Sequence, residues 1–232
     1  MESLKSILKI GNGPSSSHTM GPVYASSIFL KRNMNATSFK VELYGSLAMT
    51  GRGHLTDVSI LNVLGDYRTV VEFHPEISYD YHQNGMKFYA YVDDKEVDSW
   101  LVFSVGGGLL KELNEPRDKS PKEVYPHTTM GEILCYINKN KMSLIDYIKA
   151  FEEDDIMDYL DVIFNTMEEA IMRGIKSTVV LPGSLGLERK AKMLYQKYIE
   201  TKDFNTLLYA LTLSVSEENA SGWKLVTAPT CG

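Results

Sequence analysis

Cysteine is nearly absent: Cys135 and Cys231 are the two in 232 residues. They stand far apart, which argues against a disulfide scaffold and points to a reduced, cytoplasmic protein. Basic blocks are missing as well. The 24 Lys and Arg residues are outnumbered by 30 Asp and Glu, for a net charge of −6, so nucleic acid and anionic membrane surfaces are poor partners. Nowhere do apolar residues run long enough to span a bilayer. Met1 to Ile10 alternates apolar residues with Lys5 and Lys9 and lacks the apolar core of a signal peptide. Familiar catalytic signatures are also lacking. Gly51-x-Gly53-x-x-Thr56 has no third glycine for a dinucleotide, and no Gly-Lys-Ser/Thr phosphate loop occurs. No histidine pair has the helical spacing of a zinc site, and no Gly-x-Ser-x-Gly elbow supports a serine hydrolase.

What is present is concentrated in Gly13-Pro14-Ser15-Ser16-Ser17-His18-Thr19-Met20-Gly21-Pro22. Three consecutive hydroxyls, a histidine and a fourth hydroxyl lie between two Gly/Pro pairs. Val23 to Leu30 then reads as a helix, so polar side chains and free N–H groups gather at a helix N-terminus, where carboxylates and phosphates bind. Capping by Ser17 or Thr19, with Pro22 in the first turn, would account for one or two hydroxyls. It does not account for the run of three or for the histidine.

A second cluster is Thr50-Gly51-Arg52-Gly53-His54-Leu55-Thr56-Asp57. Here His54 stands in a Gly-rich turn just ahead of a helix whose cap is Thr56 or Asp57. Such a histidine can act as general acid or base because its pKa lies near neutrality; a loop histidine bonded to backbone is the competing reading. The third cluster, Tyr81-His82-Gln83-Asn84-Gly85-Met86, precedes a strand, and Asn84-Gly85 is also a turn signal in its own right. His74 and His127 each adjoin a proline and read as structural or exposed. His18, His54 and His82 in polar, Gly-rich loops suggest one cleft.

The first half alternates strand-like and helix-like patterns. Phe39, Val41 and Leu43 mark a half-buried strand, Gly45 to Gly53 a loop, and Val58 to Leu64 a helix closed by Gly65. Lys87 to Val92 and Val97 to Val105, joined at Asp93-Asp94-Lys95, form a hairpin signature without the favoured Asn-Gly turn. Asn114 to Glu123 reads as a linker. After residue 127 the period becomes helical: Thr129 to Lys139, a capping box at Ser143 and Asp146, and helical pattern to about Ile175 with a solvated acidic face at Glu152 to Asp155. Leu181-Pro182-Gly183-Ser184 breaks the pattern, and helices at about Glu188 to Ile199 and Phe204 to Val215 follow. The expected organisation is an α/β (α+β) domain over 1–125 and linker helices leading into a helical segment over 126–232. Leu225 to Gly232 reads as a strand or loop entering a site.

These segments resemble the iron–sulfur-dependent bacterial L-serine dehydratases over nearly the whole chain. The likeness rests on the hydroxyl run, on Gly45-Ser46-Leu47-Ala48-Met49-Thr50 continuing to Asp57, and on His82-Gln83-Asn84-Gly85-Met86. Ser104-Val105-Gly106-Gly107-Gly108, Leu181-Pro182-Gly183, Glu217-Glu218-Asn219-Ala220-Ser221-Gly222 and Val226-Thr227-Ala228-Pro229-Thr230 also match. The resemblance implies a β domain similar to an allosteric substrate-binding domain, followed by a helical α domain with a [4Fe–4S] cluster on three cysteines. The reaction it implies is L-serine to pyruvate and ammonia, a step of amino-acid catabolism feeding gluconeogenesis, in a cytoplasmic homodimer. By motif, His54 is the base, with Thr56 and His82 beside it. Ser15, Ser16, Ser17, His18 and Thr19, with Asn84, Thr227 and Thr230, face the substrate. Cys231 replaces a usual asparagine and His127 a usual phenylalanine. Neither Cys135 nor Cys231 falls in a cluster motif, so no metal ligand is assigned and no cluster is expected on this chain. The expected partner is a downstream α-domain segment. The alternative is a stand-alone module that binds serine or another carboxylate.

Overall fold

The chain is described from a computed structural model, which covers residues 1–113 and 123–227. Thr230, Cys231 and nearly all of the expected linker fall outside the described residues.

A five-stranded mixed sheet forms the centre of the first half. Its strands are β2 (Ser38–Tyr44), β3 (Thr69–His74), β4 (Gly85–Val92), β5 (Lys95–Gly106) and β6 (Leu109–Glu112). Their spatial order is β3-β2-β4-β5-β6, with β2 and β3 parallel and the other pairs antiparallel. The alternation of Phe39, Val41 and Leu43 places all three on the buried face. Against that face lie α2 (Gly21–Arg32) and α4 (Thr56–Leu64), which contribute Ala25, Phe29, Ile60 and Leu64 to one core with Met86, Phe88 and Val102. Each of these side chains apart from Ala25, fully buried, contributes roughly 1.5–3 kcal/mol.

The β4–β5 hairpin turns on Asp93 and Asp94, whose φ angles are +49° and +63°. Both central residues are therefore left-handed, as a type I′ turn requires, with aspartates taking the place of the favoured Asn-Gly. The stretch expected as a loop, Gly45 to Gly53, is instead α3 (Gly45–Thr50) followed by a 3₁₀ turn at Gly51–His54. Gly45 starts it at φ +50°, and an added Cβ there would lie 2.5 Å from the Gln83 carbonyl oxygen.

The second half is helical: α5 (Met130–Asn140), α6 (Leu144–Phe151), α7 (Ile156–Lys176), α8 (Ala191–Thr201) and α9 (Phe204–Ala220). Capping boxes open α5 at Thr129 with Glu132 and α6 at Ser143 with Asp146. No helix among the described residues is long and apolar enough to cross a membrane.

The N-terminus reaches across to this half. After a short helix α1 (Leu4–Ile7), β1 (Lys9–Asn12) pairs antiparallel with β7 (Lys224–Thr227). Glu152, read from sequence as part of a solvated acidic face, accepts hydrogen bonds from Ser3 Oγ at 2.7 Å, Leu4 N at 2.8 Å and Tyr125 Oη at 2.7 Å. The bend it occupies also separates α6 from α7. Acidic density signals exposure only until a distant segment supplies donors, and periodicity does not report distant donors.

Candidate active site

Ser15 leaves β1 in an extended conformation, and its Oγ accepts from the His18 N–H at 3.2 Å. Ser15, and not Ser17 or Thr19, thus caps the turn that leads into α2, while α2 itself has no side-chain cap. Ser16–Met20 then winds as a π-type turn running directly into α2; such turns are frequent at functional sites. The backbone N–H groups of Ser16 and Ser17 find no acceptor among the described residues, so the start of this turn presents free donors beside three hydroxyls.

His18 is held at both ring nitrogens, Nδ1 by Ser17 Oγ at 2.8 Å and Nε2 by Ser46 Oγ at 3.1 Å. Burial pushes its pKa below the usual histidine value, and neighbouring His54 pushes the same way. Both effects favour the neutral ring. The His54 ring lies 4.8 Å away between centroids, tilted by 40°. His54 Nδ1 sits 2.9 Å from the Thr50 carbonyl oxygen. A carbonyl only accepts, so Nδ1 carries a proton, and in the tautomer this selects the lone pair is at Nε2.

Two threonines lock the histidine-bearing segments together. Thr19 Oγ1 donates to the His54 carbonyl at 2.8 Å, and Thr56 Oγ1 donates to the His18 carbonyl. Both threonines are buried. Leu55, at φ +56°, rather than Thr56 or Asp57, is the residue at the N-terminus of α4, and no side chain caps it. With its hydroxyl committed to His18, Thr56 holds the site from behind.

The base of the hydroxyl loop is clamped by the far end of the chain. Gly13 N–H donates to the Trp223 carbonyl at 3.2 Å, and Asn12 Nδ2 to the Gly222 carbonyl at 2.8 Å. A Cβ on Gly13 would lie 2.4 Å from both the backbone and side-chain oxygens of Asn219, so only glycine fits. The 217–224 segment is itself fixed by Glu218, which is 1% exposed. Its carboxylate accepts from Arg173 Nε and Arg189 Nη1, each at 2.8 Å.

The other sequence candidates are placed less centrally. Asn84 is buried below the start of α2, where its Nδ2 donates to the Ser104 carbonyl at 3.1 Å and its Oδ1 has no partner among the described residues. Ser104 Oγ likewise has no partner among the described residues, and it is the group a Cβ on Gly21 would strike at 2.1 Å. His82 Nδ1 accepts from the Asn84 N–H at 3.1 Å. Its neighbour Gln83 accepts from the Ser46 N–H at 3.0 Å, so His82 adjoins the site through backbone. Thr227 pairs with Lys9 at the end of the β1–β7 ribbon remote from the hydroxyl run, roughly 10 Å along the strand from Asn12, where the ribbon meets the loop, at about 3.4 Å per residue. Sequence reasoning assigned no role to Ser46 or Asn219. Each stood inside a quoted motif, yet only the fold shows what it touches.

The serine dehydratase beta chain family matches residues 3–69 and the serine dehydratase alpha chain family residues 54–232, well over half of the chain. The chain belongs to the serine dehydratase family. Among curated relatives it is similar to L-serine dehydratase 1 of Escherichia coli (strain K12), 30% identical over 289 aligned residues that include all of this chain and 63% of that protein. Another is L-serine dehydratase TdcG of the same organism, 31% identical with 97% of this chain and 62% of that protein covered. A third is the L-serine dehydratase of Helicobacter pylori (strain J99 / ATCC 700824), 32% identical with 99% and 63% covered. The chain thus spans just under two thirds of the length of these serine dehydratases. The beta-chain match contains the whole hydroxyl run, and the two matches overlap over 54–69, so His54 and Thr56 lie in both.

Proposed function

We propose that this chain is the N-terminal portion of an L-serine dehydratase that converts L-serine to pyruvate and ammonia. The observation that carries the reading is the His18–His54 pair set against the hydroxyl run and tied by Thr19 and Thr56, in a chain of this family. Loss of the Cα proton and of the β-hydroxyl as water leaves 2-aminoacrylate, which tautomerises and hydrolyses to pyruvate and ammonium. The free N–H groups of Ser16 and Ser17, with the Ser15, Ser16 and Ser17 hydroxyls, supply donors for the substrate carboxylate. His54 takes the Cα proton at Nε2, because Nδ1 is occupied by the Thr50 carbonyl. His18, held by two serines, fixes the hydroxyl of Ser17 and lines the site. Thr19 and Thr56 position the two histidines. Asn84 and His82 support the start of α2 and the Ser46 backbone.

The resemblance also implies a [4Fe–4S] cluster, which would act as a Lewis acid on the departing hydroxide. The one described cysteine, Cys135, is exposed on α5. The described residues do not form a cluster's thiolate set, so the ligands are assigned to the downstream segment of the parent protein and no step is derived through them. Exposed apolar side chains on the last helices, including Phe164, Met193, Phe204 and Tyr209, support a cover by that segment. In this reading the parent is a cytoplasmic homodimer.

A second reading has its own support. The carboxylate donors lie in one unbroken stretch of this chain, as a stand-alone module binding serine or another carboxylate would need. Calorimetry of the 232-residue chain with L-serine, beside turnover assays of the full-length protein, separates the two. Turnover that requires the downstream segment supports the dehydratase; serine binding without any turnover in the full-length protein supports the module.

A further inference from the structure

A groove of about 680 Å³ opens on the other side of the hydroxyl loop, between β1, the N-terminal turns of α2, the β5–β6 turn and α7. Met20, Val23, Tyr24, Leu109 and Tyr159 give it mostly apolar walls, and Lys9 enters it. An ammonium has three donors. The hydrogen bond described for Lys9 goes to the Gly107 carbonyl, at 2.8 Å. No carboxylate among the described residues lies within ion-pair distance of it, and Glu2 acts only at longer range. Burial accordingly pulls the Lys9 pKa below its ordinary value. Lys5, also on the groove, is satisfied by Glu153 at 3.0 Å and Asp155 at 2.5 Å. A half-buried cation with no carboxylate at ion-pair distance among the described residues, beside apolar walls, is complementary to an anion carrying an apolar body.

The lining also says what does not fit. Among the described lining residues none is acidic, so the ammonium of an amino-acid zwitterion would lose its hydration without an ionic partner. We propose that this groove binds a short-chain aliphatic monocarboxylate, with the carboxylate on Lys9 and the chain against Met20, Val23 and Leu109. It is a separate site from the hydroxyl run, but the two are mechanically adjacent. Met20 ends the π-type turn, and its side chain packs so closely on Gly11 that a Cβ there would lie 2.4 Å from its Cε. A ligand pressing on Met20 therefore bears on both the turn and the strand that leads into Ser15.

The test uses three probes of similar branched skeleton on the 232-residue chain, followed by calorimetry and by Met20 methyl NMR. They are 4-methylpentanoate, leucine and 3-methylbutylamine. Saturable binding of 4-methylpentanoate at about millimolar concentration is expected, with the other two at least about tenfold weaker. Lys9→Met should abolish it, Lys9→Arg should retain it, and Val23→Trp should block it by filling the groove, with the melting curve checked for each. Equal binding of all three probes, carboxylate binding that survives both Lys9→Met and Val23→Trp, or no saturable binding would each overturn the proposal. The readout is binding by this chain, so it stands or falls independently of serine turnover.

Discussion

Thr56 donates its hydroxyl hydrogen to the backbone carbonyl of His18, across 38 residues of sequence and from a wholly buried position. Thr19 returns the arrangement by donating to the carbonyl of His54 at 2.8 Å. Each threonine thus grips the segment that carries the other's histidine, and the two rings are held 4.8 Å apart as a consequence. Thr19→Val and Thr56→Val should each destabilise the fold by about 1–3 kcal/mol, because a buried carbonyl loses its partner. Since both bonds join the same two segments, a double-mutant cycle in urea denaturation should show coupling of about 0.5 kcal/mol or more. Strict additivity would mean that the two bonds act independently.

The hydroxyl run is expected to act on substrate more than on stability. Replacing Ser16 and Ser17 together with alanine in the full-length protein should raise the serine KM or abolish turnover. The fold should lose only about 1 kcal/mol, the size of a helix-cap effect. Steady-state kinetics beside thermal melts check this. A variant that unfolds while its surviving folded fraction keeps the parent KM would make the run structural.

The solvent-facing side of the sheet carries a pH-dependent element unconnected with the site. Burial pushes the Glu42 carboxyl up, but Lys40 Nζ at 2.7 Å and the Tyr44 and Tyr89 hydroxyls at 2.6 and 2.8 Å hold it down, to about 2. A carboxylate with a depressed folded-state pKa stabilises above its unfolded value of 4.5, and that contribution is lost as pH falls towards 2. The stability difference between the parent chain and Glu42→Gln should therefore be constant above about pH 5 and shrink steadily from there to pH 2. Denaturant melts across that range check it; a flat difference would contradict the network.

Purified without oxygen and given iron and sulfide, residues 1–232 alone should remain colourless and make no pyruvate from serine. A cluster of this kind is normally held by cysteine thiolates, and Cys135 is exposed on a helix of its own. Absorbance in the visible range and a pyruvate assay read the result. A brown, serine-deaminating preparation would make Cys135 and Cys231 the residues to examine first.

Much of this architecture was legible in the residues, and the exceptions have physical causes. The alternation at Phe39, Val41 and Leu43, the capping box at Ser143 and Asp146 and the hairpin at Asp93-Asp94 are local patterns, and the fold keeps them; the second box, at Thr129 and Glu132, emerges only from the structure. Gly45 to Gly53 was misleading because Gly45 serves a close backbone approach to Gln83 and Gly51 packs against Thr56 and Phe73, which is contact and not looseness. The strand character of the residues from Leu225 was legible, but the β1–β7 pairing was not, because each strand is four residues long and its partner lies at the opposite end of the chain. At the site, the hydroxyl run and His54 carried their own signal in residue type and spacing. Ser46 and Asn219 did not, since a serine after a glycine and an asparagine near a helix end are ordinary until the fold sets them against His18 and Gly13.

His54 is the proposed base for the Cα proton. In the full-length protein, His54→Ala should cost about 10²–10⁴-fold in kcat, the usual contribution of a positioned acid–base group. Serine KM should change little and any cluster absorbance should be retained. A kcat within about threefold of the parent, with the fold intact, would contradict the assignment.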